Sequence, residues 1–274
     1  MPFPTRLITA ATLLVLPTAA SNAAELCHVA NAGFLIKGSN ASVLIDGLME
    51  EDQYQGRFAL PSDLNLKAMT EKTGDYENLS LVVSTHRHGD HFDPLATIKH
   101  LRATEDVSYA YPADAVAALE ANGLTESEKN RVTAIPDATQ TNFKVGEISV
   151  QTFDVDHGPN QPQNVGYRIT VDGVSFFHTG DINASREQLS SAGLNDLPVD
   201  ALIMPFWFGL RDPDQMKTVT ESWNAKMVIP THFNPEPAPW MAQFGGLSGV
   251  QDEVTGAFNK AEIVTEEGKC IKIE

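Results

Sequence analysis

Residues 85–91 read THRHGDH, so four of seven consecutive side chains can bind a metal ion. An apolar run at residues 79–84 precedes them and predicts a buried strand, whereas residues 93–101 have a helical pattern with Pro94 at an early position. The candidate ligands therefore lie in a loop at the carboxyl end of a strand, which is where α/β folds usually place their chemistry.

The residue types in this loop favour a borderline cation. Neutral imidazoles combined with a carboxylate suit zinc better than calcium or magnesium, which prefer shells of oxygen ligands. His86 and His88 are two residues apart and could bind one ion, whereas Asp90 and His91 are adjacent and are expected to turn toward a second ion. The alternative is a polar, histidine-rich surface loop that binds no metal.

Further ligands would have to come from later strand ends, and three places qualify. Residues 154–158 (DVDHG), 176–181 (FFHTGD) and 228–232 (VIPTH) each end a predicted strand. A single histidine at a strand end is usually an ordinary core or surface residue. Three such ends, together with the first loop, predict a metal centre that is assembled from four separate parts of the chain.

Residues 86–91 (HRHGDH) resemble the HxHxDH signature of the metallo-β-lactamase superfamily, and the resemblance spans the mature chain. It implies a complete set of ligands for two ions. His86, His88 and His157 would hold the first ion; Asp90, His91 and His232 would hold the second; Asp181 would bridge them. It also implies that Asp46 could accept a hydrogen bond from a metal-bound imidazole, although a role as a turn residue at a strand end fits equally well.

Within the superfamily, residues 30–36 (ANAGFLI), 178–181 (HTGD) and 229–232 (IPTH) look like the group containing ascorbate-6-phosphate lactonase and related metal-dependent hydrolases. Many of those relatives carry His where this chain has Asn31, so no role of that His is carried over. Subclass B3 metallo-β-lactamases are similar in the first motif but lack a bridging carboxylate at the position of Asp181. Hydrolysis of β-lactam antibiotics is therefore not the favoured activity.

The resemblance implies a hydrolase that cleaves an ester, lactone, amide or phosphoester bond with a hydroxide shared between two divalent ions. Asp90 would orient that hydroxide and accept a proton, besides binding the second ion. Zinc is the expected metal; manganese is a second candidate, and iron is the least favoured. Two alternatives stay open, namely an iron-dependent oxidoreductase of the same fold and a catalytically silent metal-binding protein. Diiron members of the flavoprotein branch typically carry Glu at the position of His88, which favours the hydrolase.

Other side chains in predicted loops are weaker candidates. The residues that could reach a substrate are Asn160, Asn164, Trp207 and Arg211, and ordinary packing explains each of them equally well. The remaining histidines, His28, His100 and His178, are expected to be structural. Residues 48–77 form a long connection before the metal loop, and they are either a wall of the pocket or a covering loop.

The N-terminus has the pattern of a secretory signal peptide. Arg6 supplies a positive charge, residues 7–16 are apolar, and small residues follow at positions 19–24. The apolar stretch is too short for a comfortable membrane span. We therefore predict a signal peptide at residues 1–23 and a mature domain at residues 24–274 that is soluble, periplasmic or secreted, and without a membrane anchor.

Charge and cysteine content agree with an exported protein that acts on small molecules. The formal net charge is −17 and no cluster of Lys and Arg is present, so phosphate backbones and anionic membranes would be repelled. We expect a small-molecule substrate and no nucleic-acid partner, while the sequence leaves the oligomeric state open. Cys27 and Cys270 are the two cysteines of the chain, and they form either a disulfide or two separate buried thiols.

The order of the predicted elements indicates the fold class. Strands and helices run in two successive series, one before about residue 142 and one after it, and no linker or low-complexity tract separates them. This pattern predicts an α/β chain in which two sheets pack together and helices flank them. The resemblance implies the same arrangement, the αββα four-layer sandwich of the metallo-β-lactamase type with two mixed β-sheets.

Overall fold

The computed structural model describes residues 23–210, 212–233, 241–242 and 245–274. Residues 1–22 of the predicted signal peptide, and Arg211, lie outside the described residues. In chain order the strands are β1 (Ala24–Ala30), β2 (Gly33–Lys37), β3 (Ser42–Ile45), β4 (Leu79–Val83), β5 (Ser108–Pro112), β6 (Val132–Ile135), β7 (Thr141–Val145), β8 (Ile148–Asp154), β9 (Val165–Val171), β10 (Val174–His178), β11 (Ala201–Pro205), β12 (Met227–Thr231) and β13 (Cys270–Ile273).

Six α-helices connect or follow these strands in the described part of the chain. They are α1 (Asp63–Glu71), α2 (Pro94–Ala103), α3 (Ala113–Ala121), α4 (Arg186–Ser191), α5 (Pro213–Lys217) and α6 (Gly246–Ala257). Short 3-10 helices occupy Gly74–Tyr76 and Glu128–Arg131, and a π-helix at Thr218–Trp223 continues directly from α5. No helix among the described residues is long and apolar enough to span a membrane.

The strands form two mixed sheets. The first has seven strands in the order β13-β1-β2-β3-β4-β5-β6, and the second has six in the order β12-β11-β10-β9-β8-β7. Strands β3 to β6 are parallel to one another, as are β10 to β12, while the other neighbours are antiparallel. The boundary between the sheets falls between β6 and β7, close to the predicted position.

Three apolar clusters show that the sheets and helices form four layers. Side chains of both sheets, such as Val43 and Ile169, share one cluster, which places that cluster between the sheets. A second cluster joins the first sheet to α2 and α3, and a third joins the other sheet to α4 and α6. Neighbouring residues on one strand, such as Phe176 and Phe177, belong to different clusters because successive side chains point to opposite faces. The predicted αββα sandwich is therefore confirmed.

Several local features differ from what the sequence pattern predicts. The loose alternation at residues 25–37 predicts one strand, but the structure has two because the backbone turns at Asn31, whose φ is 45°. The short apolar pair at residues 263–264 predicts a strand that the structure does not form, whereas β6 and α6 have no clear pattern in the sequence. β6 is short and largely exposed, so it has no apolar run, and α6 carries several glycines that weaken its helical pattern. The pattern at residues 212–223 predicts one continuous helix, which in the structure changes to π-helical geometry after Lys217.

Candidate metal centre

The strand ends that were predicted to supply ligands meet at one edge of the sandwich. In the second sheet, β8 and β10 are each antiparallel to β9 and therefore parallel to each other, while β10 is parallel to β11 and β11 to β12. The carboxyl ends of β8, β10 and β12 consequently lie on the same side. The carboxyl ends of β3 and β4 face them from the first sheet.

The loop after β4 folds back on itself and turns its imidazoles inward. The hydroxyl of Ser84 donates to the carbonyl oxygens of His86 and His91, each at 3.0 Å. The His91 amide donates to the carbonyl of His88 at 3.0 Å, which closes a tight turn. His86 and His91 are fully buried, so their rings project into the protein and away from solvent.

One group of three imidazoles forms the first candidate position. The Nε2 atom of His86 lies 3.1 Å from Nδ1 of His88, and Nε2 of His157 lies 3.3 Å from the same atom. Two nitrogens bound to one tetrahedral zinc ion at 2.0–2.1 Å would be about 3.3 Å apart. The three nitrogens are therefore spaced as ligands of a single cation would be.

A second group forms on the other side of His86. The Nε2 atoms of His91 and His232 are 3.1 Å apart. The Oδ2 atom of Asp90 lies 3.5 Å from Nε2 of His91 and 3.8 Å from Nε2 of His232. Within each group the donor atoms lie within 4.8 Å of one another.

Asp181 lies between the two groups and presents a different oxygen to each. Its Oδ2 atom is 3.9 Å from Nε2 of His86 and 3.9 Å from Nε2 of His157. Its Oδ1 atom is 3.3 Å from Nε2 of His91 and 3.1 Å from Nε2 of His232. The structure thus brings together all seven side chains that the sequence proposed as ligands, in the grouping implied by the resemblance.

The hydrogen bonds behind the imidazoles favour cation binding. The Asp46 carboxylate can only accept, so the bond of 2.8 Å to Nδ1 of His91 requires a proton on that nitrogen. The Thr85 hydroxyl donates to Asp46 at 2.7 Å and therefore accepts from Nδ1 of His86 at 3.0 Å. In the neutral rings the Nε2 lone pairs then point into the centre, and the buried Oδ1 of Asp181 accepts no hydrogen bond. A cation satisfies this set of acceptors.

Protonation tendencies differ between the two groups. Burial lowers the pKa of His86 well below its ordinary value and also lowers the pKa values of His88 and His157, so these rings are neutral and able to coordinate. Burial alone would also lower the pKa of His91, but the nearby carboxylates, led by Asp181, outweigh it and raise this pKa. The carboxylates thus favour positive charge at the second group.

Asp46 combines both roles that the sequence allowed. Its φ of 49° places it in a turn after β3, and its fully buried carboxylate accepts from the Thr85 amide, the Thr85 hydroxyl and His91. Burial would raise the pKa of this carboxyl, but the charge and hydrogen bond of His91 reverse the effect and lower it. The ionised Asp46 carboxylate therefore fixes the orientation of the His91 ring.

The four weaker candidates have different outcomes. Trp207 is 40% exposed, and its ring centroid lies 4.9 Å from that of His232, so it borders the centre. Asn160 is exposed in a turn near His157. Of the two alternatives for Asn164, the structure favours packing, because this residue is buried and its amide donates to the Val155 carbonyl at 3.1 Å and the Thr179 carbonyl at 3.0 Å. Arg211 lies outside the described residues.

Residues 48–77 contribute a second wall beside His232. The ring of Phe58 is 6.3 Å from that of His232, and Tyr54 packs edge-on against Phe58 at 5.1 Å. The remaining part of this connection carries α1 and packs against α2. The segment is therefore both a wall of the pocket and a cover for the helical layer.

The three remaining histidines have structural partners. Nε2 of His178 contacts the Ala32 carbonyl at 2.9 Å, and Nε2 of His100 contacts the Met69 carbonyl at 3.2 Å. His28 lies 3.4 Å from the Asn31 carbonyl. None of these rings belongs to the described metal-ligand groups.

Three residues near the site received no role from the sequence. Thr85 and Thr231 contact Nδ1 of the histidine that directly follows each of them, at 3.0 and 2.8 Å. Their position immediately before a candidate ligand is the signal that could have identified them. Asn31 contacts Asp90 from 59 positions away in the sequence, and no local pattern indicates that contact.

A family model described as a beta-lactamase superfamily domain matches residues 42–243, which include every candidate metal ligand. The chain belongs to this superfamily. A metal-dependent hydrolase of Pyrococcus furiosus is 25% identical over 222 residues, which cover 78% of this chain and 86% of the relative. This relationship and the fold identify the chain as a metal-dependent hydrolase of the metallo-β-lactamase superfamily.

Solved structures share the fold at low sequence identity. The metallo-beta-lactamase fold protein YhfI from Bacillus subtilis has a TM-score of 0.60 and 13% identity, with 91% of this chain and 99% of that chain covered. CmlA, a diiron beta-hydroxylase from Streptomyces venezuelae, has a TM-score of 0.59 and 14% identity, with 91% of this chain and 53% of that chain covered. These likenesses show that the chain shares its fold with both proteins.

Proposed function

We propose that the mature chain is an exported hydrolase that uses two divalent metal ions to cleave an ester, lactone, amide or phosphoester bond. The observation that supports two ions is the placement of Asp181, whose two oxygens face two separate groups of ligands. A carboxylate in this position can bridge two ions. A site for one ion would not need a separate group of ligands on each side of Asp181.

The ligands divide into two sets. His86, His88 and His157 would hold the first ion, Asp90, His91 and His232 would hold the second, and Asp181 would contact both. Zinc is the metal that best matches imidazole and carboxylate donors, and manganese is the second candidate. When bound, the two ions would lower the pKa of a shared water toward neutrality and stabilise negative charge that develops on oxygen.

Asp90 is the residue that we propose as the catalytic base. Its Oδ2 atom faces His91 and His232, and the carboxylate is 6% exposed at the centre of the site. The same carboxylate can therefore bind the second ion through one oxygen and accept a proton at the other. Trp207 and Phe58 flank His232 and would contact the part of a substrate that lies beside the second ion.

Two features support export of this enzyme. The leader at residues 1–23 has the composition of a signal peptide. Cys27 and Cys270 form a disulfide in the structure, and such bonds persist mainly in oxidising compartments. Expression of the full chain in a Gram-negative host, followed by intact mass measurement, should show a mature protein that begins at Ala24. Retention of the whole leader in periplasmic material would contradict this part of the proposal.

The dinuclear proposal is tested by metal analysis of two matched variants. Elemental analysis of dialysed wild-type protein should give close to two equivalents of zinc per chain. Asp181→Asn keeps the size of the side chain but removes the charge, and it should lower retention, whereas the control Asp154→Asn changes an exposed carboxylate at the end of β8 and should not. One equivalent in the wild type, with no effect of Asp181→Asn, would overturn the dinuclear site.

The reaction class is tested separately with a substrate panel. Zinc-loaded enzyme should hydrolyse at least one small ester, lactone or phosphodiester, and it should act poorly on β-lactams. A second sample of the protein, loaded with iron in place of zinc, should be assayed for oxygen consumption. Absence of hydrolysis across the panel together with oxygen consumption by the iron form would replace the hydrolase with an oxidoreductase. Two tightly bound ions with neither activity would indicate a metal-binding protein.

A further inference from the structure

The turn between β1 and β2 places one amide side chain directly behind the proposed catalytic base. Asn31 is 3% exposed and has a φ of 45°, a backbone conformation that asparagine tolerates better than most residues. Its Nδ2 atom donates to Oδ2 of Asp90 at 3.2 Å and to the Asp90 carbonyl at 3.3 Å. One amide thus binds both the side chain and the backbone of Asp90.

The turn that carries Asn31 is held against two other parts of the centre. A side chain at Gly33 would lie 2.8 Å from Cα of Gly47 and would also collide with the Asp46 carbonyl, so the turn packs directly on the loop after β3. The Ala32 carbonyl contacts Nε2 of His178 at 2.9 Å, at the end of β10. The position of Asn31 is therefore fixed relative to both sheets.

The orientation of the Asn31 amide follows from its partners. Both Asp90 atoms that it contacts are oxygens that accept hydrogen bonds, so the NH₂ group must face them. The opposite orientation would place an amide oxygen against a carboxylate oxygen inside the protein. The Oδ1 atom of Asn31 is buried and accepts no hydrogen bond in the described structure, so the contacts with Asp90 are what determine the orientation.

We infer that Asn31 is a positioning residue that holds the Asp90 carboxylate toward the second metal position and thereby sets the affinity of that position. The Asp90 carboxylate can rotate about two side-chain torsions, and this freedom is lost when the carboxylate binds an ion. The Asn31 contact restricts these torsions before the ion binds. The contact involves Oδ2, the same oxygen that lies 3.5 Å from Nε2 of His91. This inference rests on the proposed dinuclear function.

The test compares two substitutions at Asn31 with a matched control. Asn31→Gly removes the amide without backbone strain, because glycine adopts a φ of 45° freely. Asn31→Asp keeps the shape but replaces the donor with an acceptor that repels Asp90. The control is Asn224→Gly, the same change at a residue that also has a positive φ, 38°, but lies at the end of the π-helix.

Stepwise zinc affinities, measured by competition with a chromophoric chelator, should separate the two positions. The second equivalent should bind about 10- to 100-fold more weakly in both Asn31 variants, the usual effect of losing a group that orients a ligand. The first equivalent should change much less, since the Asn31 amide donates to Asp90 and not to the ligands of the first position in the described structure. At saturating zinc, the kcat of both Asn31 variants should still lie below that of the wild type, with little change in KM.

The outcomes distinguish this inference from the function on which it rests. If the wild type binds two ions and both Asn31 variants bind the second ion as tightly as the wild type does, the positioning role is wrong and the dinuclear site stands. Equal weakening of both equivalents together with a lower melting temperature would show a general structural role and would also overturn the inference. A wild type that binds one ion would remove both proposals. Asn31→Asp provides the measurement if the glycine variant does not fold.

Discussion

At the scale of single residues, the proposed duties of Asp90 can be separated by one substitution. Asp90→Asn keeps an oxygen that can bind the second ion but removes the charge that accepts a proton. We expect kcat to fall by about 10²- to 10⁴-fold, the usual range for loss of a general base, while zinc content falls much less. Steady-state kinetics and elemental analysis of the same preparation test this expectation, with Asp154→Asn as the control. Wild-type kcat in Asp90→Asn would show that another group accepts the proton.

His100 provides a prediction about pH and stability away from the metal centre. Burial lowers the pKa of His100 to about 4, and its ring contacts the Tyr109 hydroxyl at 2.8 Å and the Met69 carbonyl. In the unfolded chain a histidine titrates near ~6.5, so the unfolded state binds the extra proton between these values. Stability should therefore be lost as the pH falls from about 6.5 to about 4, by at most about 3 kcal/mol from this residue.

The measurement is denaturant unfolding of wild type and His100→Gln across that pH range. The glutamine cannot take up a proton, so the free energy of unfolding of the variant should depend less on pH. The difference in stability between the two proteins should be largest near neutral pH and should narrow on acidification. Parallel pH profiles for the two proteins would contradict the assignment.

At the scale of an element, the turn after β10 determines where Asp181 lies. Gly180 has a φ of 59°, and a Cβ there would collide with Oδ1 of Asn164 and lie 2.8 Å from Cβ of Thr85. The same Oδ1 atom accepts from the Asp181 amide at 3.3 Å. Asn164 and the glycine together therefore fix the backbone of Asp181.

Gly180→Ala should displace Asp181 and weaken zinc retention by about tenfold or more, as for other losses of ligand orientation. Gly193→Ala is the control, because Gly193 also has a positive φ, 75°, but a Cβ there would meet open space. In this control the backbone strain should lower the free energy of unfolding by about 1–2 kcal/mol, and the protein should retain both ions. Chelator competition and melting temperatures report the two effects separately. Equal metal affinity in both variants would show that the turn tolerates the added methyl group.

The strand β13 is attached to the first sheet by one pairing and one covalent bond. It pairs with β1 at the edge of the sheet, with Cys27 opposite Cys270, and the disulfide spans 243 positions of the sequence. Reduction should lower the free energy of unfolding, by at most about 5–6 kcal/mol in the chain-entropy model. The amides of Cys270–Ile273 should be the first in that sheet to gain hydrogen exchange.

Mass measurement after alkylation, with and without prior reduction, tests the bond in exported protein. Hydrogen exchange and denaturant unfolding of Cys27→Ser/Cys270→Ser then measure its effect. Two alkylatable thiols in unreduced periplasmic protein would show that the bond does not form in the cell. An unchanged free energy of unfolding would show that strand pairing alone holds β13.

At the scale of the whole molecule, bound metal should stabilise the fold because its ligands come from both sheets. A ligand present at 100 times its Kd adds about 2.7 kcal/mol to the free energy of unfolding. For a domain of this size that corresponds to a rise in melting temperature of roughly 5–10 °C. Removal of metal with a chelator should lower the melting temperature by this amount, and zinc should restore it. A melting temperature that is independent of chelator would mean that the two sheets are held together without the ions.

Much of the fold and of the site could be predicted from the sequence because the relevant signals are local. Apolar runs such as residues 79–84 mark strands that are buried on both faces, and the helical patterns between them indicate an α/β sandwich. The seven candidate ligands stand at the ends of such runs, and His86, His88, Asp90 and His91 lie within six consecutive positions. The hydrolase class followed from the resemblance that these motifs carry.

Only the tertiary structure decided which residues meet across the chain. The period of a strand shows which side chains share a face, but it does not specify the neighbouring strand, so the pairing of β13 with β1 and the disulfide stayed open. Asn164 looked available to substrate because its loop is polar, whereas the fold buries its amide against two carbonyl groups. The contact of Asn31 with Asp90 joins residues 59 positions apart, and such a contact exists only once both turns are packed.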